Sequence, residues 1–266
     1  MKDQLAGILR TLYRANPVLA LTGWIHWALF AVFVLLYPFD SRTVLGISPW
    51  IKPMKFSMSI AIYVWTLAWF LRYLASRRRT VAFISFGVAV SMFVEIGLIA
   101  MQSARGVASH FNIATGLDAV IFSVMGAMIA FNALLILLTL ILFCFNVEGL
   151  PPSYVWGIRF GFTVFLLASV EGALMVVHGG HTVGAADGGP GLPLINWSTE
   201  HGDLRIAHFA GIHALQILPL AGYWLAQSQL RQSAQFAGLM VISLMYAGTV
   251  LGLYWIATQG RPLLSF

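Results

Sequence analysis

The chain has 266 residues, of which 59% are hydrophobic and only 9% are charged, and its mean hydropathy is +0.85. Soluble domains carry about 25% charged residues, so this composition excludes a soluble globular protein and indicates a membrane protein. No basic face is interleaved with exposed aromatic residues, so the net charge of +6 reflects membrane topology and anionic lipid and excludes a nucleic-acid-binding protein.

Seven long apolar runs follow one another along the chain, and a helical run of roughly 20 residues spans the ~30 Å hydrocarbon core of a bilayer. They cover residues 17–37, 56–74, 80–101, 117–145, 155–177, 204–226 and 234–257. The first run is too long for a cleaved signal peptide, and no small-x-small site follows it, so we expect it to be retained. The sequence therefore predicts an all-α membrane bundle of seven transmembrane helices, with residues 1–266 as a single domain.

Positive charge in the loops predicts the orientation of these helices. With the N-terminus inside, nine Lys and Arg residues flank the inner ends and six flank the outer ends, and Arg77, Arg78 and Arg79 carry most of this difference. Because Lys and Arg concentrate on the cytoplasmic side, we predict a cytoplasmic N-terminus and an outer C-terminus.

Five of the seven histidines surround a glycine-rich outer loop at residues 178–203. They are His178, His181, His201, His208 and His213. Six glycines between residues 179 and 191 exclude a regular helix here. The loop is either a flexible surface segment or a cover over the outer mouth of the bundle. At its end, Asp203 is expected to cap the next helix.

Polar residues in three predicted helices fall at matching depths when each residue is counted as 1.5 Å of helix. An upper tier contains Gln102, His178 and His208, and a lower tier contains Glu95, Glu171 and His213. His181, His201, Arg105 and His110 could join the upper tier from loops. Ionisable groups in hydrocarbon are costly, so this coincidence predicts a functional site in the outer half of the bundle.

Imidazole and carboxylate groups together suit Zn, Fe, Cu or Mn, and helical bundles hold such ions between inward-facing Glu and His. The expected metal ligands are Glu95, Glu171, His178, His208 and His213, with Glu95, Glu171 and His213 also as catalytic proton-transfer groups. A histidine pair could instead bind haem b, with His26 as its deep member, although a core histidine bonded to a backbone carbonyl is the favoured interpretation of His26. Neither spacing is diagnostic, and the single cysteine excludes a cysteine zinc cluster.

Four cations at the outer rim, Lys52, Lys55, Arg105 and Arg205, are expected to hold an anionic group such as a carboxylate, a phosphate or a haem propionate. That group would belong to a cofactor or to a small-molecule or lipid substrate arriving from the outer side. The alternative for the lysines is that they extend to lipid headgroups.

These observations predict a metal- or haem-binding membrane protein with redox or metal-assisted chemistry, either an oxidoreductase or a hydrolase. A proton- or metal-ion-coupled transporter is the alternative, since Pro219 would kink its helix as in broken transporter helices. Few polar residues besides His26 and Asn132 lie in the inner half, which argues against a transport path. A non-catalytic membrane subunit is the second alternative, and the protein could form oligomers.

Two sequence blocks carry a resemblance to known proteins. S-P-W-I-K-P-M-K-F (48–56), N-W-S-T-E-H-G-D-L-R-I-A-H-F-A-G-I-H-A-L-Q (196–216) and the helix with Glu95 resemble a family of uncharacterised bacterial multi-pass membrane proteins. The resemblance covers most of the chain and implies a bacterial inner-membrane protein, but it implies no activity.

Overall fold

The computed structural model describes residues 2–145, 147 and 149–264, and the side chains of the first helix are described only at residues 7 and 10–15. The described elements are α1 (Lys2–Ala15), α2 (Pro17–Leu36), α3 (Ile51–Leu71), α4 (Arg78–Arg105), α5 (Gly116–Phe145), α6 (Pro152–His178), β1 (Thr182–Val183), β2 (Gly202–Asp203), α7 (Leu204–Ala226) and α8 (Gln232–Thr258). All seven predicted helices are confirmed as α2 to α8, with ends that shift by five residues at most. Apart from the two-residue strands, the regular structure of the described residues is helical.

Six segments of the described chain are long and apolar enough to cross a membrane. Five of them are single helices, counting α2 with the short 3-10 turn that follows it, and the sixth is the 55-residue stretch Ile51–Arg105. Within that stretch a 3-10 turn, Arg72–Arg77, separates α3 from α4, and Leu74 inside the turn leaves the helical region at φ −106° and ψ 30°. Because α3 and α4 pack against each other, the stretch is a helical hairpin.

The first compact unit is Met1–Leu135, called unit 1. Its helices α2, α3 and α4 pack against one another, and α1 packs on α2 and α3. Asn16 sets the start of α2, because its side chain accepts a hydrogen bond from the Leu19 N–H at 3.1 Å and donates to Ser85 Oγ of α4 at 2.7 Å. A polar side chain that caps a helix satisfies N–H groups that would otherwise lack partners. The amphipathic helix α1 was not predicted from the sequence.

The second compact unit is Ile136–Phe266, called unit 2, in which α6, α7 and α8 pack against one another. The contact between α6 and α7 is close because glycines of α6 face the α7 backbone. A Cβ added at Gly157 would lie 2.6 Å from the carbonyl oxygen of Leu218, and one at Gly161 would lie 3.0 Å from that of Ala214. α7 continues through Pro219, whose ring fills the space beside Gly161.

The glycine-rich loop contains a small antiparallel ladder, because β1 pairs with β2. This ladder rests on the end of α8: a Cβ at Gly202 would lie only 2.0 Å from the carbonyl oxygen of Ala257. Gly260, at φ +70°, follows in the turn after α8 and lies close to Gly202 and Val183. The loop therefore has a defined backbone, which the sequence pattern did not predict.

Candidate functional site

Glu95 lies inside unit 1 in the C-terminal half of α4, and the residue is only 1% exposed. Neither of its carboxyl oxygens receives a hydrogen bond from any residue that the structure describes. The nearest ionisable partner is His110, whose Nε2 atom lies 3.4 Å from Glu95 Oε1. A buried carboxylate is costly unless it is paired or neutral, so this contact identifies Glu95 and His110 as an interacting pair.

The turn after α4 brings His110 back over Glu95. α4 ends at Gly106, which adopts the left-handed conformation at φ +71°, and Phe111 is also left-handed at φ +56°. The imidazole is enclosed by aromatic rings, with ring centroids of Phe56 and Phe122 at 5.9 and 6.0 Å. The His110 side chain keeps 24% of its surface exposed. It thus connects the buried Glu95 with the outside of unit 1.

Lys52 lies on the same side of unit 1 as this pair. Its Nζ atom is 5.7 Å from the centroid of the Phe56 ring, which also packs on His110, and it interacts electrostatically with Glu95. The predicted cation Lys52 therefore lies close enough to the Glu95–His110 pair to interact electrostatically with Glu95. Lys55, one turn further along α3, is half-buried, and its predicted role in holding an anion stays a prediction.

A second polar cluster joins the C-terminal end of α4 to the start of α5. Asp118 accepts hydrogen bonds from Gln102 Nε2 at 2.9 Å, from Arg105 at 2.6 Å and from Thr115 Oγ1 at 2.6 Å. Arg105 also donates to the amide oxygen of Gln102. Arg105 is therefore paired with a carboxylate of its own unit, and its predicted role in holding an external anion stays a prediction.

In unit 2, the ring of His208 packs on α6 between Ala168 and Gly172, in the turn that contains Glu171. Gly172, the neighbour of Glu171, leaves room for the imidazole: a Cβ there would lie 3.1 Å from His208 Cε1. The Nδ1–H group of His208 donates to the carbonyl oxygen of Ala168 at 2.8 Å. Glu171 is buried, and its Oε1 atom has no hydrogen-bond partner among the described residues.

His213 lies deeper than Glu171, which corrects the predicted tiers. Gly211 of α7 packs on Ala168 of α6. His208, before Gly211, contacts the Gly172 side of Ala168, so the residues after Gly211 lie on the other side of Ala168, further from the C-terminal end of α6. The ring of His213 packs on Phe209 at 4.3 Å, and its Nδ1 atom bonds Gln216 Oε1 at 3.3 Å. The residue at the level of Glu171 is therefore His208, whereas the sequence placed His213 there.

Other predicted residues of unit 2 form hydrogen bonds within the outer loop. His178 is exposed and donates from Nε2 to the carbonyl oxygen of Thr182 at 3.0 Å. The predicted cap is confirmed, because Asp203 accepts from the Arg205 N–H at 3.0 Å. The Arg205 guanidinium also binds Asp203, at 2.6 Å, and the carbonyl oxygen of Asn196. Like Arg105, Arg205 is paired with a carboxylate inside its own unit.

Asp187 holds the turn of this loop together. It accepts from the backbone N–H groups of His181 and Thr182, and its Oδ1 atom lies 2.8 Å from His181 Nδ1. Burial lowers the pKa of His181, against the opposing effect of Asp187. Burial alone would raise the pKa of Asp187, but the hydrogen bonds from His181 and Thr182 outweigh it and hold this pKa well below its usual range.

His26 is completely buried in α2. Its Nδ1–H group donates to the carbonyl oxygen of Thr22 at 2.7 Å, and its ring packs on Phe93 at 5.1 Å. The favoured interpretation, a core histidine bonded to a backbone carbonyl, is confirmed. Its role as a haem ligand stays a prediction.

The predicted site residues are divided between the two units. Unit 1 contains His26, Lys52, Lys55, Glu95 and Arg105, and unit 2 contains Glu171, His178, Arg205, His208 and His213. Among the described residues, no three His, Cys, Asp or Glu side chains form a group that could hold a metal ion. The structure thus brings Glu95 together with Lys52, and it places His208 at the level of Glu171 along α6. The three-helix metal pocket stays a prediction.

The partner of Glu95 was the main residue that the sequence did not identify. The sequence indicates His110 only as a loop residue that could join the upper tier. The available signal is Gly106 at the end of α4, with the dipeptide His110-Phe111 shortly after it, because a glycine after a helix predicts that the chain turns back. Comparison with known proteins adds no further assignment: no family model, no curated protein and no solved structure matches this chain.

Proposed function

We propose that the protein is a proton-coupled transporter of the bacterial inner membrane, with the Glu95–His110 pair as its proton-exchange site. The observation that carries this proposal is the position of Glu95: it is buried without a hydrogen-bond donor among the described residues, yet within 3.4 Å of a partly exposed histidine. Buried Glu and His residues in membrane-spanning segments mark proton relays and ion pathways.

The chemistry follows from the two protonation arrangements of the pair. Either Glu95 is a carboxylic acid beside a neutral imidazole, or it is a carboxylate beside an imidazolium. A proton shared between the two groups moves from one arrangement to the other without leaving a lone buried charge. His110 exchanges that proton with the outer medium, because part of its side chain is exposed. Lys52 adds positive charge on the same side and supports the carboxylate arrangement of Glu95.

A series of buried polar groups in unit 1 favours a transporter over a protein whose site opens only to the outer side. Buried polar groups continue inward from Glu95: Ser57 and Ser91 are fully buried, and so is His26. Further along, the Tyr63 hydroxyl donates to the side-chain oxygen of Asn132 at 2.9 Å. The sequence appeared poor in polar residues here, because isolated serines in apolar helices carry no signal until helix packing shows which of them are buried.

The proposed topology has seven crossings. The hairpin of α3 and α4 supplies two of them, since α3 has 21 residues and α4 has 28, and about 20 suffice at 1.5 Å per residue. The N-terminus then lies in the cytoplasm and the C-terminus outside, in agreement with the arginines of the α3–α4 turn and the positive-inside rule.

Two measurements test the proton-exchange site. In purified protein, pH-difference infrared spectra are expected to contain a carboxyl C=O band that disappears in Glu95→Gln and persists in Glu200→Gln, the control for an exposed carboxylate. In liposomes with an internal pH dye, a potassium diffusion potential is expected to drive proton uptake that Glu95→Gln abolishes and His110→Gln slows. Identical infrared spectra for wild type and Glu95→Gln would refute the proposal.

A metal- or haem-dependent enzyme is the second candidate, and it is favoured by unit 2. Two buried atoms there, Glu171 Oε1 and His213 Nε2, lack hydrogen-bond partners among the described residues, and both are of the kind that ligates Zn, Fe or Cu. Metal analysis and a visible spectrum of the purified protein test this candidate. This candidate requires that the wild type contains bound metal or shows a haem Soret band. The metal content or the intensity of that band must also decrease in both Glu171→Gln and His213→Ala. A colourless, metal-free wild type excludes the candidate.

A further inference from the structure

We propose that unit 1 carries a binding surface for anionic phospholipid headgroups at the end opposite Glu95. The surface consists of Arg10 and Arg14 of α1 together with Arg77, Arg78 and Arg79 at the start of α4, and it is called the arginine surface. All five side chains are exposed. This surface is independent of the proposed proton-exchange site.

Contacts within unit 1 place the two parts of the surface at the same end. Asn16, directly after α1, bonds to Ser85, which lies two turns, roughly 10 Å, into α4 from Arg78. α1 itself packs on α2 and α3, and Leu12 of α1 is buried. The end of α1 therefore lies at the end of unit 1 that contains the α3–α4 turn. Residues 75–80 of that turn line an open depression, so their side chains are accessible from outside.

The charge at this end is strongly one-sided. The segments 2–16 and 72–80 contain seven Lys and Arg residues and a single carboxylate, Asp3. At the other end of unit 1, carboxylates accompany the arginines: Arg42 binds Asp40, and Arg105 binds Asp118. Clusters of four to eight Lys and Arg beside a membrane-spanning helix attract anionic lipid.

Aromatic side chains and the pattern of α1 support a lipid partner over a soluble one. The Arg72 guanidinium stacks 3.6 Å from the Trp69 ring and donates to the Tyr73 hydroxyl at 2.6 Å, and Tyr13 of α1 is exposed. Trp and Tyr concentrate at the headgroup level of bilayers. In the sequence of α1, apolar residues recur at positions 5, 8, 9 and 12, the pattern of a helix that lies in the membrane interface.

Native mass spectrometry of the full-length protein in detergent tests this surface, with phosphatidylglycerol as the anionic probe and phosphatidylcholine as the neutral one. We expect tighter binding of phosphatidylglycerol. Each cation near a bilayer surface contributes about 1 kcal/mol, so Arg79→Gln should weaken this binding about fivefold and the triple variant Arg77→Gln, Arg78→Gln, Arg79→Gln about a hundredfold. Arg261→Gln, an exposed arginine of unit 2, is the matched control and should bind like wild type.

Three results would overturn the assignment. They are equal binding of the two lipids, wild-type affinity in the triple variant, and displacement of phosphatidylglycerol by millimolar inorganic phosphate, which would identify a site for free anions. Thermal melting of each variant shows whether it is folded. The single variant Arg79→Gln decides the question if the triple variant does not fold, because it removes one exposed charge only.

Discussion

Glu95 Oε1 lies 3.4 Å from His110 Nε2, although one residue is inside α4 and the other is in the loop that follows it. The loop thus places an imidazole over the only described carboxyl group in the interior of unit 1 whose oxygens both lack hydrogen bonds. Two acid–base groups in contact, one buried and one partly exposed, are the basis of the proposed proton exchange.

Substitutions of Glu95 should separate its chemistry from its packing. Glu95→Gln is expected to leave the free energy of unfolding within about 1 kcal/mol of wild type. The reason is that the Glu95 carboxyl oxygens accept no hydrogen bond from the described residues that the substitution would remove. Glu95→Ala should cost about 2 kcal/mol or more, since it leaves a cavity. Thermal unfolding in detergent measures both. A Glu95→Gln variant as unstable as Glu95→Ala would show that the carboxyl group is structural.

Asp203 should contribute strongly to the stability of unit 2. It caps α7, pairs with Arg205 at 2.6 Å and accepts from the Ser198 N–H at 2.9 Å, and it is 1% exposed. Asp203→Ala leaves the guanidinium of Arg205 without its carboxylate and is expected to cost about 3 kcal/mol. Glu200→Gln, at an exposed position in the same loop, should leave the melting temperature unchanged, and equal losses in both variants would contradict this role.

The close packing of α6 on α7 predicts a contrast between two glycines. Gly157→Ala should destabilise the protein by more than about 2 kcal/mol, because the new Cβ would meet the Leu218 carbonyl oxygen at 2.6 Å and backbone has to move. Gly248→Ala in α8 meets nothing within 4 Å and should be neutral or stabilising by up to about 1 kcal/mol. The melting temperatures of the two variants test this prediction. Equal changes in melting temperature for Gly157→Ala and Gly248→Ala would contradict it.

The outer loop should loosen in acid. The pKa of His181 is lowered by burial, so below its ordinary value of about 6.5 the unfolded loop binds more protons than the folded loop, and stability falls as the pH drops. The depressed pKa of Asp187 adds a second loss below pH about 4, because protonation removes the acceptor of the His181 and Thr182 N–H groups.

Limited proteolysis of residues 178–203 between pH 8 and pH 4 measures this effect. Cleavage is expected to accelerate as the pH falls. Asp187→Asn should already be cleaved faster at neutral pH, and its rate should change less below pH 5. A cleavage rate that is independent of pH in the wild type would show that the His181–Asp187 contact does not hold the loop.

Much of the fold was predictable because the bilayer imposes a length on each helix. The apolar runs located α2 to α8, and Asp203 identified the first residue of α7 correctly. The helix α1 was missed because it is amphipathic and short, and it gives no long apolar run. The ladder of β1 and β2 was missed because two-residue strands among glycines have no periodic signal.

The site was less predictable than the helices. Depth along a helix follows from residue counting, but the relative level of two helices depends on where their surfaces fit. Gly172 makes room for His208, and this contact, rather than the helix ends, sets the level of α7 against α6. The same limit applies to Glu95, whose partner depends on the left-handed turn at Phe111, a residue that seldom adopts that conformation.

The contact of Gly202 with the last turn of α8 links the outer loop to the end of the chain. With no room for even one methyl group between β2 and the Ala257 carbonyl oxygen, the ladder and the last turn of α8 lie in direct contact. Any residue larger than glycine at position 202 would have to displace either the ladder or that turn. The geometry of the outer loop is therefore matched to a helix end that lies more than fifty residues further along the chain.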